Sequence, residues 1–525
     1  MNFIQFSILL VLCFTTIRCS KILIMPMDFG YNSRLMNMLK IGNELLGAGH
    51  QITVLVSDNI EEDALYKMVE RDSIRTSFEV IRYPMPPVDQ TNDENSLNQD
   101  WINSMIEAGS GVENLKQFMD IFCFTFSQSL KVWDQIANEN FDLIIADEGM
   151  HSARLISASL DIPLIIYSNW GPMTADIGYV QRFNLAYVPA FLNALTDTMS
   201  FTERVSNIWE YVHLRVTMSD LFEKMIAICK ESGHGDACDN IRDSPKTVSL
   251  VFINRNDALH YPAPFMPHVI SLEGFFMDKP KPLSQHYADI IKQAGDNGII
   301  VVSFGSMFRR LWPELRSIFA KAFAAMPQTV IWSYEGPRPE GLGNNTIVNK
   351  WIPQQDLMSH PATKLFVTQC GAASSFQALN NALPTIGIPF FWDQFYNCRL
   401  LSDRIKSGKT ISLKKITSEE LQRAMEEVIK DETYKENANK AAAIYHDQPI
   451  PPRDKVVYWA EYVIRHKGAP HLRSQAANEL NFFQYFLLDI VALVCVVCII
   501  VGISVTVLIK KTIGFFRNIR KNKID

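Results

Sequence analysis

The chain has 525 residues, which is too long for one ordinary hydrophobic core and predicts two globular domains plus any targeting segments. Its 50 basic and 56 acidic side chains give a net charge of −6, and the globular part contains no basic block. This balance excludes nucleic acid as an expected partner.

The first twenty residues, "MNFIQFSILLVLCFTTIRCS", form an apolar segment that ends in small and polar residues near Cys19 and Ser20. This pattern predicts a cleaved secretory signal over residues 1–19. The alternatives are a buried first strand or an uncleaved anchor. The strand-like "KILIMPM" that follows at once favours the signal.

Apolar strands alternate with helical segments along most of the chain. "KILIMPM" and "QITVLVS" flank an amphipathic helix that is expected to end at Gly49, and "FDLIIAD" and "PLIIYS" follow. The pattern restarts with "GIIVVSFGS", "QTVIWSY", "NTIVNKW", "KLFVTQ" and "PTIGIP". We therefore predict two doubly wound α/β domains, at 20–280 and 281–480, with a linker near residue 280 and a polar loop at 86–100.

An uncharged segment near the C-terminus, Ile490 to Ile509, is about 30 Å long as a helix and can cross a bilayer. It predicts a membrane helix over 487–509, and the basic residues of 510–525 place this tail in the cytoplasm and the long preceding part in the lumen. Lys521 and Lys523 resemble a dilysine signal that returns proteins to the endoplasmic reticulum. A generic basic membrane flank is the alternative.

Five cysteines lie between the signal and the membrane helix, so at least one is a free thiol or forms an intermolecular bond. Cys229 with Cys238 is the preferred pair. The sequon that begins at Asn344 lies in a polar, glycine-rich turn and predicts an exposed glycan. No carboxylate or histidine cluster has ligand spacing, so we expect no metal ion.

Two strands of the second domain are followed by small residues. "QCGAASS" follows "KLFVT", and "SFGSMF" follows Val302. Ligands of open parallel sheets bind beyond the carboxyl ends of the strands, where backbone N–H groups and a helix N-terminus attract anions. Together the two loops predict a diphosphate site, although small residues after strands also serve plain packing.

The segment from Trp351 to Gln394, "WIPQQDLMSHPATKLFVTQCGAASSFQALNNALPTIGIPFFWDQ", resembles the signature of the UDP-glycosyltransferases. The resemblance extends to "AGHQITVL", "AYVPAFLNALTDTMSFTERVSN", "VVSFGS", the membrane helix and the basic tail. It points to the animal, membrane-anchored members that conjugate small lipophilic molecules in the endoplasmic reticulum, with UDP-glucuronosyltransferases as the nearest type.

The resemblance implies a GT-B fold in which the C-terminal domain binds the UDP-sugar and the N-terminal domain binds the acceptor. The UDP-sugar is a co-substrate, and no cofactor is implied. The implied donor site stacks uracil on an aromatic ring and places further side chains on the nucleoside, the diphosphate and the sugar hydroxyls. Its residues are, in that order, Trp351 and Gln354, then Ser306, Gly371 and Ser374, and finally Asp393 and Gln394.

This chain departs from the family pattern at functional positions. Gln369 replaces the histidine of the family's "HGG" motif, and Gln377 replaces the glutamate that holds the ribose hydroxyls. Both keep hydrogen bonding but lose charge or basicity, so nucleotide affinity is expected to be weaker. Arg34 occupies the position of the catalytic histidine, and arginine cannot act as a base at usable pH.

The aspartate that orients that histidine in the family is retained as Asp147. The simplest geometry is an Arg34–Asp147 salt bridge, with Asp147 as a direct base and His151 as a recruited base as two alternatives. A third alternative is an amine or another strong nucleophile, which attacks without prior deprotonation. A second class of function is a catalytically impaired paralogue that binds UDP or a lipophilic ligand, or pairs with active relatives; the apolar tail is compatible with homo- or heterodimers.

Overall fold

The computed structural model describes residues 19–28, 32–60, 78–85, 119–169, 184–190, 192–305, 308 and 310–521. The predicted signal over 1–19 and the predicted polar loop at 86–100 therefore lie almost wholly outside the described residues. The chain divides into a large unit that ends at Pro470 and a C-terminal unit that begins at His471.

The first sheet of the large unit has seven parallel strands in the order β3-β2-β1-β4-β5-β6-β7. On the central strand, Ile22 pairs with Ile52 on one side and with Leu143 on the other. The strand order reverses between β1 and β4, so this is a doubly wound sheet. The strands are β1 (Lys21–Met25), β2 (Gln51–Ser57), β3 (Glu79–Tyr83), β4 (Leu143–Asp147), β5 (Leu164–Ser168), β6 (Leu250–Ile253) and β7 (Val269–Ser271).

The second sheet has six parallel strands in the order β10-β9-β8-β11-β12-β13, with the same reversal between β8 and β11. Its central strand β8 is wholly buried, and β11 is buried except at Lys364, as expected for a parallel sheet that is covered on both faces. The strands are β8 (Ile299–Ser303), β9 (Thr329–Ser333), β10 (Thr346–Asn349), β11 (Thr363–Thr368), β12 (Thr385–Gly387) and β13 (Gly408–Thr410). Two doubly wound domains of the GT-B type are thereby confirmed.

Helices connect the strands. The first helix ends at Gly47, two residues before the predicted end, and Gly49 beyond it has a left-handed φ of 94°. The helices of the large unit are α1 (Asn32–Gly47), α2 (Met119–Leu130), α3 (Trp133–Asn138), α4 (Ser152–Leu160), α5 (Phe201–Glu231), α6 (Asn240–Thr247), α7 (Gln285–Ala294), α8 (Pro313–Ala324), α9 (Gln354–Met358), α10 (Ala372–Asn380), α11 (Asp393–Arg399), α12 (Ser418–Lys430), α13 (Glu432–His446) and α14 (Pro452–Arg465).

Helix α14 returns to the first sheet after the second sheet is complete. Its residues Val456, Ala460 and Val463 are fully buried in the same core cluster as β1 and α1. Arg453 also forms an ion pair with Glu44 of α1 at 3.1 Å. The two sheets are therefore connected both by the segment between β7 and β8 and by this returning helix.

The C-terminal unit contains α15 (Gln475–Glu479), α16 (Phe482–Tyr485) and α17 (Leu488–Lys521). From Leu488 to Asn518, α17 has a mean hydropathy of 3.1 over its most apolar window and is long enough to cross a membrane. The prediction of a C-terminal apolar helix is confirmed, and the helix continues past the predicted end at 509 as far as Lys521.

Two disulfides are present among the described residues. The predicted Cys229–Cys238 bond joins the end of α5 to the short turn at Gly235–Asp239 and is confirmed. The Cys370–Cys398 bond was not predicted. The sequon residue Asn344 is exposed, so its glycosylation stays a reasonable prediction.

Asn207 of α5 fixes the segment 184–190 against the long helix. Its side chain is fully buried, accepts a hydrogen bond from the Ala190 N–H at 2.7 Å, and donates to the Leu185 and Val188 carbonyls at 2.9 and 2.8 Å. Three backbone groups that would otherwise be unpaired are thereby satisfied.

Substitution of Asn207 by the similarly sized leucine should lower the free energy of unfolding by about 2 to 3 kcal/mol, because it leaves buried backbone groups without partners. Thermal and urea unfolding of the full-length protein in detergent measures this. Ser206→Ala, on the exposed face of the same helix, is the matched control and should change stability by less than about 0.5 kcal/mol. Equal stability of the two variants would contradict the assignment.

Candidate active site

A cleft of about 320 Å³ lies between the carboxyl ends of the two sheets and has walls from both. The first sheet and its connections contribute Arg34 and Asn37 of α1, Asn169 after β5, and Phe276. The second sheet contributes the loops that follow β8, β10, β11 and β12. From that side come Gly305, Trp351, Gln354, Gln369, Gly371, Ser374, Gln377, Asp393 and Gln394.

The loop after β11 forms one wall of the cleft. Cys370 takes a left-handed backbone conformation with φ of 61°, and Gly371 is the N-cap of α10. The first N–H groups of a helix have no partner within the helix, so the first turn of α10 presents donors to an anion. Gly305 follows β8 with φ of 74°, and a Cβ at that position would collide with the Gln369 side-chain amide.

Gln369 and Gln377 lie in this wall, and neighbouring side chains hold both amides by hydrogen bonds. Gln369 is buried, and its side-chain oxygen accepts a hydrogen bond from the Thr368 hydroxyl at 3.1 Å. The Gln377 side-chain oxygen accepts from Gln354 Nε2 at 2.6 Å. Trp351 lies beside this pair, and 71% of its surface is exposed at the mouth of the cleft.

Asp393 and Gln394 begin α11 on the same side of the cleft. Trp392, directly before them, has a left-handed φ of 56° that turns the chain sharply into this helix. The Gln394 side-chain oxygen accepts from the Phe390 and Phe391 N–H groups at 2.9 and 3.3 Å, which fixes the amide.

The carboxylate of Asp393 accepts a hydrogen bond from Asn397 Nδ2 at 2.8 Å. Burial raises the pKa of Asp393 to about 7, although the charge of Arg34 and the hydrogen bond from Asn397 both act to lower it. Because Arg34 and Asp393 interact electrostatically, the two sides of the cleft are coupled by charge.

Arg34 is held by two carboxylates at the carboxyl end of β4. Its Nε lies 3.2 Å from Asp147 Oδ2, and one terminal nitrogen lies 2.8 Å from Glu148 Oε1. The second terminal nitrogen donates to the Met27 sulfur at 3.2 Å. Arg34 and both carboxylates are at least 98% buried, and the predicted Arg34–Asp147 salt bridge is present.

Glu148 was not selected from the sequence. Besides pairing with Arg34, it accepts hydrogen bonds from the Ser168 hydroxyl at 2.7 Å and from the Asn169 N–H at 2.8 Å. Burial raises its pKa to about 7, with Arg34 acting in the opposite direction and Asp147 adding to the rise. The only signal in the sequence was its place directly after Asp147 at the end of a buried strand.

His151 lies outside the cleft. Its ring packs against Phe122 and Phe222, and its Nδ1 contacts the Arg154 guanidinium. Burial, together with Arg154, lowers the pKa of His151 well below its usual value, so the ring is neutral. Asp147 is also fully buried and does not line the cleft, but it pairs with Arg34, which does.

The structure thus brings together Arg34 and all the predicted donor-side residues that it describes; Ser306 lies outside the described residues. Their roles in binding and catalysis stay predictions. Residues that the sequence did not reveal are Glu148, which secures Arg34, and Asn397, which secures Asp393.

Residues 20–523 match the family model described as "UDP-glucoronosyl and UDP-glucosyl transferase". The chain belongs to this UDP-glycosyltransferase family. It is 32% identical over 504 residues to UDP-glucuronosyltransferase 2B13 of Oryctolagus cuniculus, with 92% of each chain covered. It is also 32% identical over 516 residues to UDP-glucuronosyltransferase 2B7 of Homo sapiens, covering 93% of this chain and 92% of that protein.

Solved glycosyltransferases share the fold of this UDP-glycosyltransferase. The calicheamicin glycosyltransferase CalG4 superimposes with a TM-score of 0.57 at 14% identity, covering 85% of this chain and 99% of that one. Arabidopsis thaliana UGT89C1 gives a TM-score of 0.55 at 16% identity, covering 85% of this chain and 100% of that one. At these identities the comparison establishes the GT-B fold alone.

Glu148 should make the stability of this UDP-glycosyltransferase depend on pH. Its pKa is about 7 in the folded protein against an ordinary 4.5, so the folded state binds the proton more tightly. This stabilising contribution is fully present below the lower value and is lost as pH rises through the upper one. In Glu148→Gln the contribution is absent.

The melting temperatures of the wild type and Glu148→Gln should therefore diverge on acidification, the wild type gaining more stability between about pH 8 and about pH 5. Thermal unfolding across this range measures the difference. Glu340→Gln, in an exposed loop, is the control and should follow the wild type. Parallel curves for the wild type and Glu148→Gln would contradict the raised pKa.

Proposed function

We propose that this protein transfers a hexosyl or hexuronosyl group from a UDP-sugar to a small lipophilic acceptor, with inversion at the anomeric carbon. The UDP-sugar is the co-substrate, and no metal ion or other cofactor takes part. The observation that carries the proposal is that Arg34 of α1, which follows the first strand, lines the same cleft as the residues of the second sheet that are proposed to bind the nucleotide.

The donor occupies the wall formed by the second sheet. Trp351 offers an exposed aromatic face to uracil, and Gln354 with Gln377 binds the nucleoside. The loop at Gly371, the first turn of α10 with Ser374, and Ser306 hold the diphosphate through N–H and hydroxyl donors. Asp393 and Gln394 bind sugar hydroxyls, and Gln369 lines the same wall of the cleft.

The acceptor lies on the side of the first sheet, where the cleft combines apolar side chains with polar and charged ones. Met36, Phe276 and Met277 supply the apolar surface, and Asn37 and Asn169 supply hydrogen bonds. The apolar surface suits the carbon framework of a small lipophilic molecule, and the polar groups suit its nucleophilic end.

No base faces the acceptor at the position of Arg34, because the guanidinium is fixed in two ion pairs and stays charged. Asp147 is already engaged by Arg34 and by the Gly149 N–H, and neutral His151 lies outside the cleft. We therefore propose amines and comparably strong nucleophiles as the preferred acceptors. Loss of a general base costs about 10² to 10⁴ in rate for hydroxyl acceptors, and an amine avoids this cost.

In the proposed step, the nitrogen lone pair attacks the anomeric carbon from the face opposite the diphosphate. The bond between that carbon and the diphosphate oxygen breaks, and UDP leaves with the bonding electrons. The resulting substituted ammonium then releases its proton to water. The N-terminus of α10 stabilises the negative charge that develops on the departing diphosphate.

The proposed location is the endoplasmic reticulum, with the catalytic part in the lumen and α17 spanning the membrane. The apolar character of α17 and the basic residues that follow Ile509 support this orientation. The predicted dilysine pattern supports retention in that compartment.

A second function, a binding paralogue without transferase activity, is favoured by Arg34, Gln369 and Gln377. The retention of Asp393 and Gln394 in the cleft favours transfer, because sugar contacts have no evident use in a protein that only binds UDP or a lipophilic ligand. Turnover with UDP-glucose or UDP-glucuronate and an aromatic amine decides between the two functions.

Asp393→Asn should lower kcat/KM for the UDP-sugar by about 10- to 100-fold, because the amide has one acceptor oxygen where the carboxyl group, charged above its pKa of about 7, has two. Affinity for UDP itself should be unchanged, since the sugar is absent. Steady-state kinetics and calorimetry with UDP measure the two effects, and Asp447→Asn, at an exposed site, is the control. Unchanged kinetics would rule out the sugar contact.

Arg34→His alone would leave Glu148 buried without its partner, so the sharper variant is Arg34→His combined with Glu148→Gln. It restores a titratable ring beside Asp147 and should raise activity toward phenols by about 10²-fold. Comparison with Glu148→Gln alone isolates the contribution of the histidine. Absence of a gain in the folded double variant would show that residue 34 is not placed to act on the acceptor.

A further inference from the structure

The Cys370–Cys398 disulfide joins the two structural elements that form the donor wall of the cleft. Cys370 lies in the loop between β11 and α10, between Gln369 and Gly371, and Cys398 lies in α11, five residues after Asp393. The bond is separated from the cleft itself, since both side chains are at least 99% buried.

The local backbone is adapted to this bond. Gly387 of β12 lies beneath it, and a Cβ there would be 2.5 Å from both sulfur atoms. Asn397, beside Cys398, donates both to the Cys370 carbonyl at 3.0 Å and to Asp393 Oδ2 at 2.8 Å. The disulfide and this amide therefore connect the same two elements side by side.

Cys370 takes a left-handed conformation, which glycine adopts freely and residues with a side chain adopt only at an energetic cost. A glycine would form this turn more easily, but it could not be cross-linked to α11. A cysteine at this position therefore makes the turn less favourable but allows a covalent bond between the loop and α11.

We propose that the Cys370–Cys398 disulfide is a positioning element of the UDP-sugar site, holding the diphosphate loop in register with the helix that carries Asp393 and Gln394. This inference rests on the proposed function. Without the bond, the loop and α11 keep only the Asn397 hydrogen bonds and packing, so the binding-competent arrangement is less populated and donor affinity falls.

The burial of both sulfurs makes this bond a permanent part of the fold rather than a switch. A reductant reaches it only when the surrounding structure opens. The bond must then form during folding in an oxidising compartment, in agreement with the proposed lumenal location.

The test compares Cys370→Gly, Cys398→Ser and the double variant of the full-length protein in detergent. Cys370→Gly removes the bond and suits the left-handed backbone, whereas Cys398→Ser removes the bond and leaves residue 370 unchanged. The control is the double variant Cys229→Ser with Cys238→Ser, which removes the disulfide at the end of α5.

Each bond-breaking variant should raise the KM for the UDP-sugar and weaken UDP binding by about tenfold, while the KM for the acceptor stays unchanged. The variant with both Cys370→Gly and Cys398→Ser should have the same KM and UDP affinity as either single variant, because all three lack the same bond. The control should keep wild-type KM values. A general loss of stability would not raise the KM for the UDP-sugar while leaving the KM for the acceptor unchanged.

Unchanged UDP affinity in folded Cys370→Gly and Cys398→Ser would overturn the inference while leaving the proposed function intact. An effect in Cys370→Gly alone would also overturn it, since it would trace to the backbone at residue 370. If the wild type itself binds no UDP, the proposed function fails, and this inference fails with it.

A second measurement covers variants that do not fold. In the control variant, Cys370–Cys398 is the remaining disulfide of the described residues. Dithiothreitol reduces it when the surrounding structure opens, and alkylation of the two thiols verifies the reduction. The reagent gives two electrons and two protons to the bond and becomes its cyclic disulfide, leaving two thiols. UDP affinity should fall about tenfold after reduction and return after reoxidation; equal affinity in both states would contradict the proposal.

Discussion

The burial of one guanidinium between two carboxylates fixes the part of the cleft wall that α1 contributes. A buried charge is tolerated only when it is paired and hydrogen-bonded, and Arg34 meets this condition through Asp147 and Glu148. Arg34 thereby occupies the position at which relatives of this family are expected to have a proton acceptor. Glu148 completes this arrangement by pairing with a second nitrogen of the guanidinium.

The two doubly wound sheets explain why these residues meet. The carboxyl ends of parallel strands share one edge, and both sheets direct that edge to the same cleft. The end of β4 supplies the pair that fixes Arg34, and the loops after β11 and β12 supply the residues proposed for the donor. Arg34 and the residues proposed for the donor therefore line the same cleft.

Much of this could be predicted from the sequence, because parallel strands are continuous apolar runs and the segment from Trp351 to Gln394 carries a family signature. The Arg34–Asp147 pair followed from matching motifs. The sequence did not reveal contacts made by tertiary structure: the Glu148 pair with Arg34, the second disulfide, and the return of α14 to the first sheet. Spacing along the chain says little about such distant partners, and an acidic residue after a strand is ordinary.

The most direct measurement of the central claim is the ratio of kcat/KM for an aromatic amine and for the phenol of the same ring system, with one UDP-sugar at saturation. A site without a base at residue 34 predicts a ratio of at least about tenfold in favour of the amine, with phenol use that rises with pH as the phenolate forms. Equal use of both acceptors at neutral pH would contradict the account. It would require a proton acceptor for the phenol, and Arg34, which is held in two ion pairs, cannot accept a proton.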